Sequence, residues 1–294
     1  MTETTASLLP YLGVLKVSGD DRASFLHNQL SNDINNLPAS HACYATYNTP
    51  KGRVMANMLV LNTGDELWLI MSADLIDAIA KRLRMFVMRS KAVLENASDQ
   101  LGVASSLIPT DEDYDLPAEP PLLLNAEFGN GVWQIALPHA GVLCVGELAA
   151  LPAHNEKAEL QWRSHEINHG YPWIRAANSE TCVAQMLNQH RLGGVHFRKG
   201  CYPGQEIIAR AQYRGQVKRG LVMYGSNQLV EPGEKLYDDA DEEVGVVINA
   251  IPQAMGSLIL AVVKHSVKNE RLNTEKAAAL DFKRRFYTVA EDAA

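Results

Sequence analysis

Apolar and polar positions alternate from Tyr11 to Val17, which predicts a strand. Gly19 and Asp20 end it, and Asp20 or Asp21 can cap a short helix reaching Leu30, with Phe25, Leu26 and Leu30 on one face. His41 to Thr49 and Arg53 to Asn62 read as strands joined by the turn Asn48-Thr49-Pro50-Lys51-Gly52, so a hairpin is predicted. Glu66 to Ser72 reads as a third strand. From Ala73 to Met88 the period becomes helical: Leu75, Ile76, Ile79, Leu83, Phe86 and Val87 share a face, and Lys81, Arg82 and Arg84 ring it. Lys91 to Asn96 returns as a strand. Strands interrupted by crossover helices in this way predict an α+β sandwich.

The second half is less regular. Asp111 to Pro121 is acidic and holds three prolines, which predicts an exposed linker. Short strands follow to about Val145, then a helix from Glu156 to Asn168 that stops at Gly170 before Tyr171-Pro172. A second short helix is predicted from Ser179 to Leu187, capped by Ser179. Gly220 to Tyr224, Val244 to Ala250 and Leu258 to Val263 read as short strands separated by Gly, Pro, Asp and Asn, the pattern of a small β-barrel. The expected boundary lies at Gln212 to Gln216, which divides the chain into 1-212 and 213-294. Beyond Thr288 a frayed tail is expected.

The 294 residues suffice for two or three domains, and 47% apolar with 21% charged residues is the balance of a soluble globular protein. The start, Met1 to Pro10, lacks the features of a secretory signal, and no apolar run approaches the roughly 18 residues of a membrane span. A cytoplasmic protein without membrane contact is expected. The net charge of −7 excludes a general nucleic-acid coat protein. Yet Arg191 to Arg219 holds seven cations (Arg191, Arg198, Lys199, Arg210, Arg214, Lys218 and Arg219) against the single anion Glu206. That island reads either as a site for an anionic ligand or as a solvated basic face. Direct tRNA binding is not expected, because aromatics such as Tyr202 and Tyr213 are only sparsely interleaved with it and the overall charge is negative.

Cys43, Cys144, Cys182 and Cys201 are scattered, with no C-x-x-C pair, so neither a disulfide framework nor a self-contained metal site is expected. The first three read as small core hydrophobes. Cys201 differs. It sits in Lys199-Gly200-Cys201-Tyr202-Pro203-Gly204-Gln205-Glu206, where two glycines and a proline predict a tight exposed loop. Arg198 and Lys199 beside it should ease loss of its proton. Three readings stand for Cys201: a reactive thiolate for a redox or one-carbon intermediate, a transient iron or cluster ligand shared with a partner, or a structural thiol. The first is preferred, and His190 and His196 are close enough in sequence to tune it.

Leu187-Asn188, Leu192-Gly193-Gly194-Val195, Phe197, Lys199-Gly200-Cys201-Tyr202 and Gly204-Gln205-Glu206 resemble the signature of the YgfZ family of folate-binding proteins. That family is related to the aminomethyltransferase (T-protein) of the glycine cleavage system. Val17-Ser18-Gly19, Phe25-Leu26, Gln29-Leu30, Lys51-Gly52-Arg53, Gly170-Tyr171-Pro172 and Ala176-Ala177-Asn178-Ser179 extend the resemblance over most of residues 11 to 220. It implies an α+β fold of three modules in a ring around a central folate pocket, closed by a C-terminal small β-barrel. It also implies an accessory protein that supports iron–sulfur cluster assembly or repair and, through an iron–sulfur client, tRNA thiomethylation. The alternative is a tetrahydrofolate-dependent one-carbon transferase or demethylase.

The implied ligand is tetrahydrofolate or a derivative. The resemblance places Trp162 in the pocket, where its ring could stack on the ligand or simply fill the core. Tyr11 stands in for an aromatic that falls near Leu12, and Asn168 for an acidic residue that grips the pterin. Arg198, Lys199 and Arg210 are candidates to neutralise the glutamate tail of folate. Tyr202, Gln205 and Glu206 either hold the loop or face the pocket. T-protein relatives carry a catalytic aspartate on the first hairpin, whereas Lys51 to Gly64 contains no carboxylate. Transfer of an aminomethyl carbon therefore lacks its proton acceptor. Ala184 replaces a usual proline and Arg175 a usual aspartate.

Overall fold

Most stretches of period two form strands in the computed structural model, which describes residues 6–107, 121–138, 141–215, 217–267 and 271–286. The chain runs β1 (Ala6–Leu8), β2 (Leu12–Ser18), α1 (Arg22–His27), β3 (His41–Asn48), β4 (Val54–Asn62), β5 (Leu67–Ser72), α2 (Ile76–Val87) and β6 (Val93–Asn96). It continues with β7 (Leu101–Leu107), β8 (Leu124–Gly129), β9 (Val132–Ala136), β10 (Gly141–Glu147), α3 (Glu156–Asn168) and α4 (Gln205–Tyr213). The last strands are β11 (Arg219–Ser226), β12 (Lys235–Tyr237), β13 (Glu243–Pro252), β14 (Ser257–Lys264), β15 (Leu272–Thr274) and β16 (Ala279–Arg285). Residues 111–120 of the expected linker and the expected tail past Thr288 lie outside the described residues.

The first ten strands form one antiparallel sheet in the order β1-β7-β10-β9-β8-β3-β4-β5-β2-β6. Its two halves join where β3 meets β8, at His41 opposite Asn125 and Ala42 opposite Leu124. β1 pairs with β7, not with its neighbour β2, so the chain start is built into the half formed mostly by residues 101–147. β4 is buried at nearly every position because both of its faces are covered. The last six strands close into a barrel, β11-β14-β13-β12-β15-β16. The whole is an α+β fold with a curled sheet and a closed six-stranded barrel.

α3 decides where the site can be. It packs against β1 and β7 on one side and against β13 and β14 of the barrel on the other. One apolar cluster runs from the sheet through Trp162, Ile167 and Trp173 to Leu221, Val246 and Ile248 of the barrel. Two expected helices come out shorter. α1 stops at His27, and only Ala184–Leu187 of the segment after Ser179 makes a 3-10 turn. Ser179 does not cap that turn; its hydroxyl donates to the Met55 carbonyl at 2.8 Å, tying the segment to β4. No helix among the described residues is long and apolar enough to cross a membrane.

Candidate functional site

Asn155 starts α3 by accepting the Ala158 N–H on its side-chain oxygen at 3.0 Å. Four residues apart, Trp162 and Glu166 then share the inward face. Glu166 is only 5% exposed. Its Oε1 accepts the indole N–H of Trp162 at 2.9 Å and that of Trp173 at 2.8 Å. Its Oε2 accepts the hydroxyl of Tyr11 at 2.9 Å. Burial pushes the Glu166 carboxyl up to about 7, although all three hydrogen bonds pull the other way. Burial, and then the Glu166 charge, raise the Tyr11 phenol well above its ordinary value, so Tyr11 stays a donor. The Arg163 guanidinium lies 5.2 Å from the centre of the Tyr11 ring.

Two small spaces flank this cluster, each of about 10 Å³. Tyr44, Asn57, Leu137, Gln189 and Leu192 border one. Tyr11, Arg163, Arg175, Asn249 and Ile251 border the other. Glu166, Tyr171 and Trp173 border both. Gln189 is 1% exposed, and neither atom of its side-chain amide has a hydrogen-bond partner. A buried amide left unpaired on the wall of a cavity is unusual enough to point to a polar occupant. Each space has room for about one water.

Tyr11 and Trp162 thus lie in the central cluster, but Trp162 is wholly buried and its N–H is spent on Glu166. Asn168 does not reach the centre. It sits on the exposed side of α3, with Nδ2 donating to Ser164 Oγ at 3.3 Å. Two residues along a helix turn the side chain through about 200°, so Glu166 and Asn168 face opposite ways.

The remaining expected site residues gather elsewhere. Gly204 has φ of 81°, and a Cβ there would lie 2.6 Å from the Thr49 carbonyl oxygen and 2.7 Å from Gly52 Cα. The β3–β4 turn and the cysteine segment therefore meet backbone to backbone, which only glycine permits. Cys201 is exposed. The loop ends earlier than expected, because Gln205 and Glu206 already belong to the first turn of α4.

Lys199 is not available to a folate tail. It is 8% exposed, and its Nζ donates to the carbonyls of His27 and, at 2.7 Å, Leu30. Burial pushes its pKa down to about 8. The ammonium also lies 4.9 Å from the centre of the buried Tyr202 ring. Arg198 is exposed, and Arg210 lines an open depression of about 670 Å³ with Glu206, Ala209, Tyr213 and Arg214. None of the described residues bordering the Glu166 spaces comes from 198–210. The expected site residues therefore divide between two places.

A histidine beyond the two expected from sequence distance stands beside the cysteine loop. Burial pushes His190 down to about 4. It is His27, at the end of α1, whose Nε2 lies 3.5 Å from where a Cβ on Gly200 would stand. Glu166, Trp173, Gln189 and His27 were not chosen from the sequence. The spacing of Trp162 and Glu166 on one helix face was the available signal for the first of them. Among the described residues no group of three or more His, Cys, Asp or Glu side chains is arranged to hold a metal ion.

No protein-family model matches the chain. Pairwise, it is 30% identical to the tRNA-modifying protein YgfZ of Yersinia pestis (strain Pestoides F), over 95% of this chain and 91% of that protein. The chain belongs to the YgfZ family. The family member of Hamiltonella defensa is 27% identical over 91% of this chain and 85% of that protein. Among solved structures, the glycine cleavage system aminomethyltransferase T of Bartonella henselae superimposes with a TM-score of 0.68, over 96% of this chain and 85% of that one. At 12% identity that likeness shows the fold: the sheet, α3 and barrel are arranged as in a T-protein. The cysteine segment and the β3–β4 turn, far apart in this sequence, meet at Gly204 and Gly52.

Proposed function

We propose that this protein acts in tRNA modification as an accessory protein that binds a reduced folate at Glu166 and sustains an iron–sulfur client. The observation that carries the folate part is the Glu166 cluster. A carboxyl poised near neutrality, held by two indoles and a phenol and sharing a wall with the unpaired Gln189 amide, matches the donor and acceptor edge of a pterin. Glu166 and Gln189 would hold that edge, and Tyr11 and Trp173 would move to admit it. Bound folate would supply a one-carbon carrier.

The hairpin favours the accessory role over a transferase. Its buried polar side chains Thr46, Asn48, Thr49 and Asn57 are hydroxyls and amides with no carboxylate among them, and Asn57 donates to Pro172 O at 2.7 Å and accepts from Ile174 N at 2.8 Å. The tRNA part rests on the relatives' name. Arg198 and Arg210 on the basic surface remain the candidates for a polyglutamate tail.

Titration with tetrahydrofolate, followed by tryptophan fluorescence, tests the folate reading. Saturable quenching is expected in the wild type, with affinity about tenfold weaker in Glu166→Gln, since an amide loses charge assistance. Absence of quenching at millimolar ligand overturns it. A strain lacking the protein should lose thiomethylated tRNA and recover it on rescue; unchanged tRNA would overturn the client role.

A further inference from the structure

A crevice of about 730 Å³ opens between the two halves of the sheet. Lys16 of β2 and Trp68 of β5 line it from one half, and Phe128 of β8, Trp133 of β9 and Glu147 of β10 from the other, with Asp99 ahead of β7. Its walls are aromatic. Phe128 and Trp133 pair across the β8–β9 hairpin, with ring centres 5.0 Å apart. Asn130 and Gly131 make the tight turn of that hairpin, with φ of 53° and 79°. Trp133 is anchored at 8% exposure, whereas Phe128 stands out from the core at 62%. Trp68 Nε1 donates to Glu66 Oε2 at 2.8 Å, which fixes the third ring.

The rim is acidic. Asp99 and Glu147 are exposed, and neither joins an ion pair among the described residues. Lys16 is the one cation among the described lining residues, and its Nζ lies 3.2 Å from Glu66 and 4.0 Å from Glu95. Its charge is therefore already offset by two carboxylates. Aromatic faces beside unpaired carboxylates attract an organic cation. A guanidinium suits them best, because it is flat, weakly hydrated, stacks on rings and pairs with a carboxylate through two N–H groups.

We propose that this crevice takes an arginine side chain from an extended basic segment of a partner protein. Its guanidinium would lie against Phe128 and Trp68 and pair with Asp99 or Glu147. The shape decides for a chain segment over a free small molecule. Most of the described residues lining the crevice are exposed, whereas a small-molecule site encloses most of its ligand. The net charge of −7 favours the approach of such a segment. None of the lining residues borders the Glu166 spaces, so this proposal and the folate reading fail independently.

The test is calorimetric titration of the full chain with the peptide acetyl-Gly-Arg-Gly-Arg-Gly-amide and with its lysine counterpart, at about 0.15 M salt, where long-range attraction is screened. Saturable binding of the arginine peptide is expected, with the lysine peptide about tenfold weaker. Phe128→Ser, and Asp99→Asn combined with Glu147→Gln, should each weaken the arginine peptide about tenfold. All three positions are exposed, so the variants should keep the fold. Equal binding in the wild type and in either variant overturns the proposal, because the attraction would then be one of general charge. Absence of binding at millimolar peptide overturns it too. Agmatine carries the guanidinium without a peptide chain and should bind at least about tenfold more weakly than the peptide. Equal affinity for agmatine overturns the chain segment as the occupant.

Discussion

Glu166 and Cys201 are each held by segments distant in sequence, and they are held in opposite senses. At the centre the ionisable group itself is buried, and Tyr11, Trp162 and Trp173 exist in their observed orientations because they donate to it. At the loop the ionisable support is buried, with Lys199 reaching under α1, while the thiol it carries faces solvent. The difference separates stability from reactivity. Changing Glu166 orphans three donors in the core, whereas changing Cys201 orphans nothing.

The largest effect should come from Glu166→Leu, which leaves two indole N–H groups and a phenol without partners and should cost about 4 kcal/mol of folding stability. Urea denaturation checks this, and a loss under about 1 kcal/mol would show that the cluster is not the centre of the core. pH sharpens the same point. The carboxyl is raised from 4.5 to about 7 in the fold, so the folded state holds a proton that the unfolded chain releases between those values. Stability should therefore be full below about pH 4.5 and fall by roughly 3 kcal/mol as pH rises to about 7. Glu166→Gln should remove that slope.

At the loop, Gly204→Ala combines a left-handed backbone with a Cβ 2.6 Å from the Thr49 carbonyl oxygen. It should cost about 2–3 kcal/mol and detach the hairpin from the cysteine segment. Hydrogen exchange of residues 48–53 would show whether the hairpin opens. The smallest structural effect is expected for Cys201→Ser: stability within about 0.5 kcal/mol of the wild type, together with loss of rescue in a strain lacking the protein. Normal rescue would remove the thiol from the function.

The hairpin of β3 and β4, the span of α3 and three of the six barrel strands (β11, β13 and β14) were legible because each follows from local periodicity and turn chemistry. The exposed position of Cys201 was legible too, since Gly200, Pro203 and Gly204 admit few other conformations. Lys199 is a candidate for the folate tail by sequence and a buried side chain in the structure, because a sequence records charge but not depth. Its two carbonyl partners, on His27 and Leu30, lie about 170 residues away along the chain. The resemblance sets Asn168 in the pocket, and the phase of α3 turns it outward instead.

By itself, then, the sequence determined the β3–β4 hairpin, α2, α3, three strands of the barrel and the glycine-framed loop, since each depends on interactions within a few residues. Only the tertiary structure decided that Glu166, not Asn168, occupies the central cluster and that His27 lies beside Gly200 of the cysteine loop. Both choices depend on how α3 and α1 are rotated against elements from the other end of the chain. That rotation is set by packing and by the hydrogen bonds of Trp173, Tyr11 and Lys199, which no local pattern encodes.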